Sequence, residues 1–454
     1  MSTSRPPETE FSSGRSATAP ATWGQQAVWD AVRGLGPADA PRYNVSLAAP
    51  VDPGVPVALL LDALRQLLHL HDSLHTRLLA DDAGRLHQIV DPAGRLTVDS
   101  RRCATAEEVA QAGARQLAEL AGLPFDCARD WPLRVGIVES GGLVRHIALV
   151  LSHTAVDAWG LRRLTADLTA IVQGHQPRTG GEHPALQPVE EAAFQASERG
   201  RRRDANARRH WERKLRLGPR RLFPAPAGEP AQLFPNAVLN SPALATAVEY
   251  VAAAQRVSSS SVLLAAVSAM TARITGAPDA VLQVVVNNRF LPGLADAVST
   301  VASEGLFHLA DPAGEFDEVV RRAHATSIAT YRSAYYDKRL LDQDIERIAG
   351  DGGPVADRTC FFNDTRDLMP QQADAPAPAG GSLERARART TLGWPVEFEP
   401  RAGVSYALDA LRAPGSLELS MTADSALLPR PDMERFLYGV EALVVERALA
   451  LGCA

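Results

Sequence analysis

The stretch Ser152-His153-Thr154-Ala155-Val156-Asp157-Ala158-Trp159-Gly160 combines residue types and spacing that could do chemistry. A neutral imidazole can take a proton from an attacking nucleophile near pH 7. A carboxylate four residues later can brace the turn that carries it. Ser152 beside His153 also suggests a hydroxyl nucleophile activated by a base. The elements that must position these groups are readable on either side. Residues 145–151 read RHIALVL, an apolar β-prone run of strand length, and Leu161, Leu164, Leu168 and Ile171 recur at helical spacing. The stretch is therefore expected to be a tight strand-to-helix turn. Period-two alternation sets His153 on the face of Ile147, Leu149 and Leu151 and Ser152 on the opposite face, which argues against a Ser152–His153 couple. Spacing alone leaves a second account open, in which His153 is a satisfied core histidine beside an N-capping Asp157.

The 454 residues allow two or three domains, or two lobes of one enzyme, and 46% hydrophobic content supplies large cores. A net charge of −6 gives no electrostatic case for nucleic acid. The four cysteines, Cys103, Cys127, Cys360 and Cys453, are far apart and lack metal-ligand spacing, as expected of a reduced cytoplasmic protein without a metal site. No secretory signal and no membrane-spanning apolar run is read. Residues 1–20 are rich in Ser, Thr, Pro and Ala and are expected to form a disordered tail.

Further along, residues 59–70 have helical periodicity, and residues 86–90 and 96–98 read as a hairpin turning at 92–94. Residues 133–135 and 145–152 read as hairpin partners across Gly141-Gly142. Residues 174–188 read as a linker. Residues 199–221 are dense in arginine, with Trp211 and Leu215 at i, i+4. That segment is either a solvated bridging helix with one apolar stripe or a docking surface for an acidic partner. Residues 280–286 form a β-branched run, 316–340 read as one long helix with acid early and base late, and 367–381 as a mobile Pro-Ala loop.

The His153 stretch resembles the HHxxxDG motif of the condensation domains of non-ribosomal peptide synthetases, part of an acyltransferase superfamily that includes chloramphenicol acetyltransferase. Ser152 stands for the first histidine and Ala158 for the glycine, while His153 and Asp157 match. Other segments resemble family motifs in the same order. Trp23 to Trp29 followed by Tyr43-Asn44 is similar to the first. In residues 71–78, His71, Leu74, Thr76 and Arg77 match RHExLRTRF, with His75 replacing an arginine. Pro132-Leu133-Arg134 resembles the opening of the strand before the histidine motif. Asn288-Arg289 with Pro292-Gly293-Leu294 resembles GRxxPGL, Asn288 replacing glycine. The family's Val-Asn-Thr element is not preserved, and Glu304 falls near its asparagine. Residues 359–363 resemble a strand lining the family's tunnel.

The resemblance implies an α+β fold of two chloramphenicol-acetyltransferase-like lobes in a V-shaped pseudo-dimer, with a tunnel between them. The expected divisions are a tail at 1–20, an N-terminal lobe at 21–175, a linker and basic bridging helix at 176–222, and a C-terminal lobe at 223–454. It implies that His153 is catalytic, that Ser152, Asp157 and Arg289 support the site, and that Trp159 and Asn363 line the tunnel. Arg289 would pair with Asp157 from the second lobe. No bound cofactor is implied. Acyl or peptidyl carrier proteins would present substrates on phosphopantetheine arms, and a small-molecule amine or alcohol would accept the acyl group. No adenylation or carrier segment is read, so the expected enzyme is a free-standing monomer, cytoplasmic, without nucleic-acid or membrane partners. Two alternatives stand beside it: a condensation-like domain that recruits a partner enzyme, and a coenzyme A-dependent acyltransferase.

Overall fold

A computed structural model describes residues 6–36, 38–177, 185–224, 233–368 and 383–453. The chain divides into two compact units, Met1–Arg203 with Asn287–Ala302, and Asp204–Val286 with Ser303–Ala454. Residues 287–302 therefore return to the first unit, which corrects the expected single C-terminal lobe from 223 onward.

The first unit contains β1 (Glu8–Ser12), β2 (Ala17–Pro20), α1 (Trp23–Arg33), β3 (Asn44–Val55), α2 (Val57–Leu70), β4 (Thr76–Ala80), β5 (Leu86–Val90) and β6 (Ala93–Arg102). It continues through α3 (Ala106–Ala121), β7 (Leu133–Ser140), β8 (Leu143–Ser152), α4 (Ala158–Val172) and α5 (Pro188–Ala196) into α6 (Glu198–Leu217). Five strands order as β1-β6-β7-β8-β3, and three more as β2-β5-β4. Residues 8–20 are thus largely strand rather than disordered tail. Phe11 is buried in the core beside His75, at 4.5 Å between ring centroids, which explains why a Ser-rich segment is held down.

The hairpin expected from 86–98 does not form. β5 pairs with β4 and β2, whereas β6 pairs with β1 and β7, so the chain changes sheets between them. Asp91 fixes the crossing. Its carboxylate accepts from Arg77 (2.7 and 2.8 Å) and Trp131 Nε1 (3.0 Å), and its carbonyl accepts from His75 Nδ1 at 2.8 Å. The β7–β8 hairpin forms as expected, with Gly141 and Gly142 both at positive φ in a turn suited to strand twist.

The sheet is covered on both faces. Leu64, Leu67 and Leu68 of α2 and Leu161, Leu164 and Leu168 of α4 pack with Val98, Val135, Ile137, Leu149 and Leu151 of the strands. Val109 and Ala112 of α3 pack with Val138. β8 is consequently buried from Ala148 to Ser152, a rigid central strand leading into the histidine turn.

The second unit adds β9 (Phe234–Ser241), α7 (Pro242–Gln255), α8 (Ser259–Thr275), β10 (Asp279–Val286), β11 (Ser303–Ala310), α9 (Phe316–Arg332) and α10 (Lys338–Gly350). Then follow β12 (Cys360–Asp364), α11 (Leu383–Arg387), β13 (Thr391–Phe398), β14 (Tyr406–Ala413), β15 (Ser416–Ala423) and α12 (Arg430–Ala450). Its sheet orders as β11-β10-β12-β14-β15-β9-β13. α8 is buried from Ser261 to Ala272, as expected of a helix apolar all round. The single helix expected over 316–340 breaks into α9 and α10. Asp337 Oδ1 accepts from Arg339 N (3.0 Å) and Leu340 N (3.4 Å), capping a new helix, and the break buries Tyr335 and Tyr336.

Of the linker expected at 174–188, residues 178–184 lie outside the described residues, as does most of the loop expected at 367–381. Among the described residues no single helix is long and apolar enough to cross a membrane. The bent pair α7–α8 passes by length and composition, but its apolar residues belong to the core. Also among the described residues, no cluster of three His, Cys, Asp or Glu side chains could hold a metal.

Candidate active site

β8 ends at Ser152, α4 begins at Ala158, and the histidine sits on the turn between them. His153 has left the strand, so period two no longer governs its direction. The ring is half-buried, with the Tyr43 ring 6.4 Å away between centroids. Tyr43 immediately precedes β3, whose Asn44 lies opposite Ser152 in the sheet register.

His153 Nδ1 lies 2.9 Å from the Val156 carbonyl oxygen. A carbonyl can only accept, so Nδ1 carries the hydrogen and the neutral ring keeps its lone pair on Nε2. Nε2 has no protein hydrogen-bond partner among the described residues. The turn thus holds one tautomer and leaves the basic nitrogen available.

Ser152 is buried, and its hydroxyl lies 2.8 Å from Thr154 Oγ1. The Cys127 thiol touches both hydroxyls, and burial pushes that thiol up. Ser152 is therefore engaged away from His153, and no Ser152–His153 hydrogen bond forms.

Asp157 caps α4 and is 1% exposed. Its Oδ1 accepts from Gly160 N at 2.8 Å and lies 2.8 Å from Arg289 Nη2. Its Oδ2 accepts from Arg289 Nη1 (2.9 Å), Val301 N (3.0 Å) and Ala302 N (2.9 Å). The buried carboxylate is paired in a fork and saturated by backbone donors, which burial of a charge requires. Arg289 completes its own set on the carbonyls of Ala297 (3.0 Å) and Ser299 (3.4 Å). Both partners lie in the first unit, which corrects the placement of Arg289 in the second lobe.

The two positions where another residue replaces a motif glycine have local explanations. Ala158 opens a helix and is absent from the positive-φ residues, so that position does not require glycine. Asn288, where the motif has glycine, has φ +56. Asparagine is among the few side chains that adopt this conformation readily, and its Nδ2 donates to the Val301 carbonyl at 2.8 Å. Gly160 is tightly constrained: a Cβ there would stand 2.7 Å from Val156 Cγ2 and 3.2 Å from the Ser299 carbonyl.

Sequence reasoning missed the segment 299–302. Thr300 Oγ1 donates to the His153 carbonyl, and Asp157 N donates to the Ser299 carbonyl at 3.4 Å. Together with the Val301 and Ala302 amides, this segment clasps the histidine turn. Of the two residues expected to line a tunnel, Trp159 is buried on the first turn of α4, 6% exposed. Asn363 is half-buried on β12 in the second unit, its Nδ2 donating to Asp409 Oδ1 at 3.0 Å. His71 is structural, its Nε2 lying 3.0 Å from the Asp167 carboxylate, and His75 is fully buried.

A family model of the condensation domain matches residues 24–437, and the chain belongs to that family. Among curated proteins it is similar to a probable non-canonical non-ribosomal peptide synthetase, CymA, of Salinispora arenicola, with 32% identity over 38% of this chain and 2% of that protein. It is also similar to phosphinothricin tripeptide synthetase PhsC of Streptomyces viridochromogenes, with 25% identity over 73% of this chain and 32% of that protein. The chain thus spans a minor part of these relatives. Among solved structures, a study of condensation domain-mediated chain release from the enacyloxin polyketide synthase gives a TM-score of 0.72 at 19% identity, covering 96% of this chain and 84% of that one. The SgcC5 protein from Streptomyces globisporus gives 0.66 at 19% identity, covering 95% and 98%. At these identities the solved structures show that the fold is shared.

Proposed function

We propose that the chain is a condensation enzyme that joins an acyl group, carried as a thioester on a phosphopantetheine arm, to an amine or hydroxyl nucleophile in natural-product biosynthesis. The observation that carries this reading is the His153 turn, where Nδ1–H is committed to the Val156 carbonyl and Nε2 keeps its lone pair. The nucleophile's nitrogen or oxygen attacks the thioester carbonyl carbon and gives a tetrahedral adduct. Nε2 takes the proton that the nucleophile sheds. The carbon–sulfur bond then breaks, and the departing thiolate recovers that proton from the imidazolium. Placing two tethered reactants side by side supplies a large part of the rate, and His153 adds general-base assistance. The Asp157–Arg289 pair holds the turn and takes no proton. No metal or bound cofactor is needed in this scheme, and the reaction belongs in the cytoplasm, where thiols stay reduced.

Ser152 and Ala158 in place of the motif's histidine and glycine favour a second reading, in which the domain has lost turnover and recruits a partner enzyme. One experiment separates the two. The protein is offered an acyl-loaded carrier with a panel of amines and alcohols, and products are read by mass. Condensed product that disappears in His153→Ala supports the enzyme. No product from any pair, together with tight binding of a tailoring enzyme, supports recruitment. Turnover of free coenzyme A thioesters with none from carrier-bound ones would favour the superfamily's small-molecule acyltransferases.

A further inference from the structure

α6 has two contrasting faces along its C-terminal half. The inner face is buried in the second unit through Asp204, Ala207, His210, Trp211 and Leu215. The outer face exposes Arg209, Arg213, Arg216 and Leu217, and Arg220 and Arg221 follow just beyond the helix end. Positions 209, 213 and 216 share one side of the helix, being three and four residues apart.

The fold neutralises few of these cations. Arg208, on the flank, is tied to the Asp204 and Asp344 carboxylates. Arg216 pairs with Glu212 at 2.9 Å. Among the described residues, Arg209 reaches the Asn206 side-chain oxygen and Arg220 Nη2 the Gly352 carbonyl at 3.4 Å, neither of them a carboxylate. Arg213 and Arg221 have no acidic partner among the described residues. The field is visible inside the helix: burial, then Lys214 and Arg213, pull His210 down to about 4, and burial with Arg213 also lowers Lys214. Like charges at these spacings repel one another and weaken an isolated helix. The whole chain carries a net charge of −6, so this face reverses the prevailing sign. Leu217, 64% exposed, stands among the guanidinium groups as an apolar contact point.

We propose that this outer face, with Arg209, Arg213, Arg216, Arg220 and Arg221 around Leu217, docks an acidic carrier protein that delivers one of the substrates. The identification of the partner rests on the proposed condensation function; the choice of an acidic one rests on charge complementarity. Guanidinium forks suit both carboxylates and the phosphate of the arm. Exposed charges of this kind act mainly on encounter rate and on choice of partner, so docking should weaken with salt.

The test uses the full chain and a fluorescently labelled, phosphopantetheine-bearing carrier protein of net negative charge, titrated by anisotropy at low and at physiological salt. The triple variant R209E/R213E/R220E is expected to bind at least about tenfold more weakly and to lose most of the salt dependence. Its condensation from the carrier-borne donor should fall by a similar factor, while turnover of a small pantetheine thioester, which needs no docking, stays unchanged. The milder pair R209Q/R213Q should fall between parent and triple variant. Unchanged carrier binding in both variants would overturn the proposal. So would equal loss with carrier-borne and small thioesters, or a preference for duplex RNA or phosphatidylserine vesicles that the same substitutions abolish. If the parent condenses nothing, the proposed reaction fails, and the binding titration still decides whether this face docks a carrier.

Discussion

At the scale of single residues, His153 and Asp157 perform different tasks, and their variants should fail differently. Among the described residues, the His153 side chain contributes one hydrogen bond to the fold, from Nδ1 to the Val156 carbonyl. His153→Ala should keep a native circular dichroism spectrum and lose about 10²-fold or more in turnover, the ordinary scale for a positioned acid–base group. Ser152→Ala, which removes the hydroxyl's links to Thr154 and to the Cys127 thiol, should be mild by comparison in the same assay. Asp157 is the reverse case. Its removal strands the Arg289 guanidinium and the Val301 and Ala302 amides in a buried site. Asp157→Ala should therefore cost about 3–5 kcal/mol in denaturant unfolding, Arg289→Ala should cost a similar amount, and the double variant should cost less than the sum. A fully additive double variant would show that the two do not act as a pair. His153, Asp157 and Arg289 were legible in the sequence because each is a side chain in a spaced motif. The Val301 and Ala302 donors were not, since a backbone amide leaves no trace in residue type.

At the scale of elements, long periodic runs announced themselves, and changes of partner did not. The run at 59–70 formed α2 because its apolar stripe faces the sheet. β5 and β6 read as a hairpin because local alternation and a turn signal cannot show that Asp91 ties the crossing to Arg77 and Trp131, distant in sequence. Likewise 316–340 read as one helix because its charge pattern continues through Asp337, and the burial of Tyr335 and Tyr336 that rewards the break is a tertiary effect. The 299–302 segment offers a direct test of how an element positions the histidine. Thr300→Val keeps the shape and removes the hydroxyl donated to the His153 carbonyl. It should cost about 1 kcal/mol in stability. It should also lower kcat more than it raises KM, because the turn is loosened and no substrate contact is lost. Thr300→Ser should restore kcat. Equal kcat in Val and parent would remove this segment from the support of the site.

At the scale of the whole molecule, acid sensitivity follows from histidines buried in the neutral form. Burial lowers His75 and His146 in the first unit, and in the second it lowers His210 to about 4, with Lys214 and Arg213 adding to it. An unfolded histidine titrates near 6.5, so between that pH and about 4 the unfolded chain binds a proton that folded His210 refuses. Stability linked to His210 is therefore present above pH 6.5 and lost as pH falls toward 4, by up to about 3 kcal/mol. Lowered carboxyls such as Asp91 and Asp167 extend the loss at still lower pH, whereas Asp72, Asp337 and Asp409, raised by burial, work against it. Urea midpoints of the parent should fall between pH 7 and pH 4.5, and the slope of unfolding free energy against pH reads the number of protons taken up. His210→Gln lowers stability near pH 7 through packing, but it should flatten this slope by close to one proton. The two compact units need not unfold together, so the flattening belongs to the transition reported by Trp211, which packs 5.6 Å from the Tyr336 ring and shares α6 with His210. An unchanged slope in that transition would show that His210 is not the group through which acid acts on the second unit.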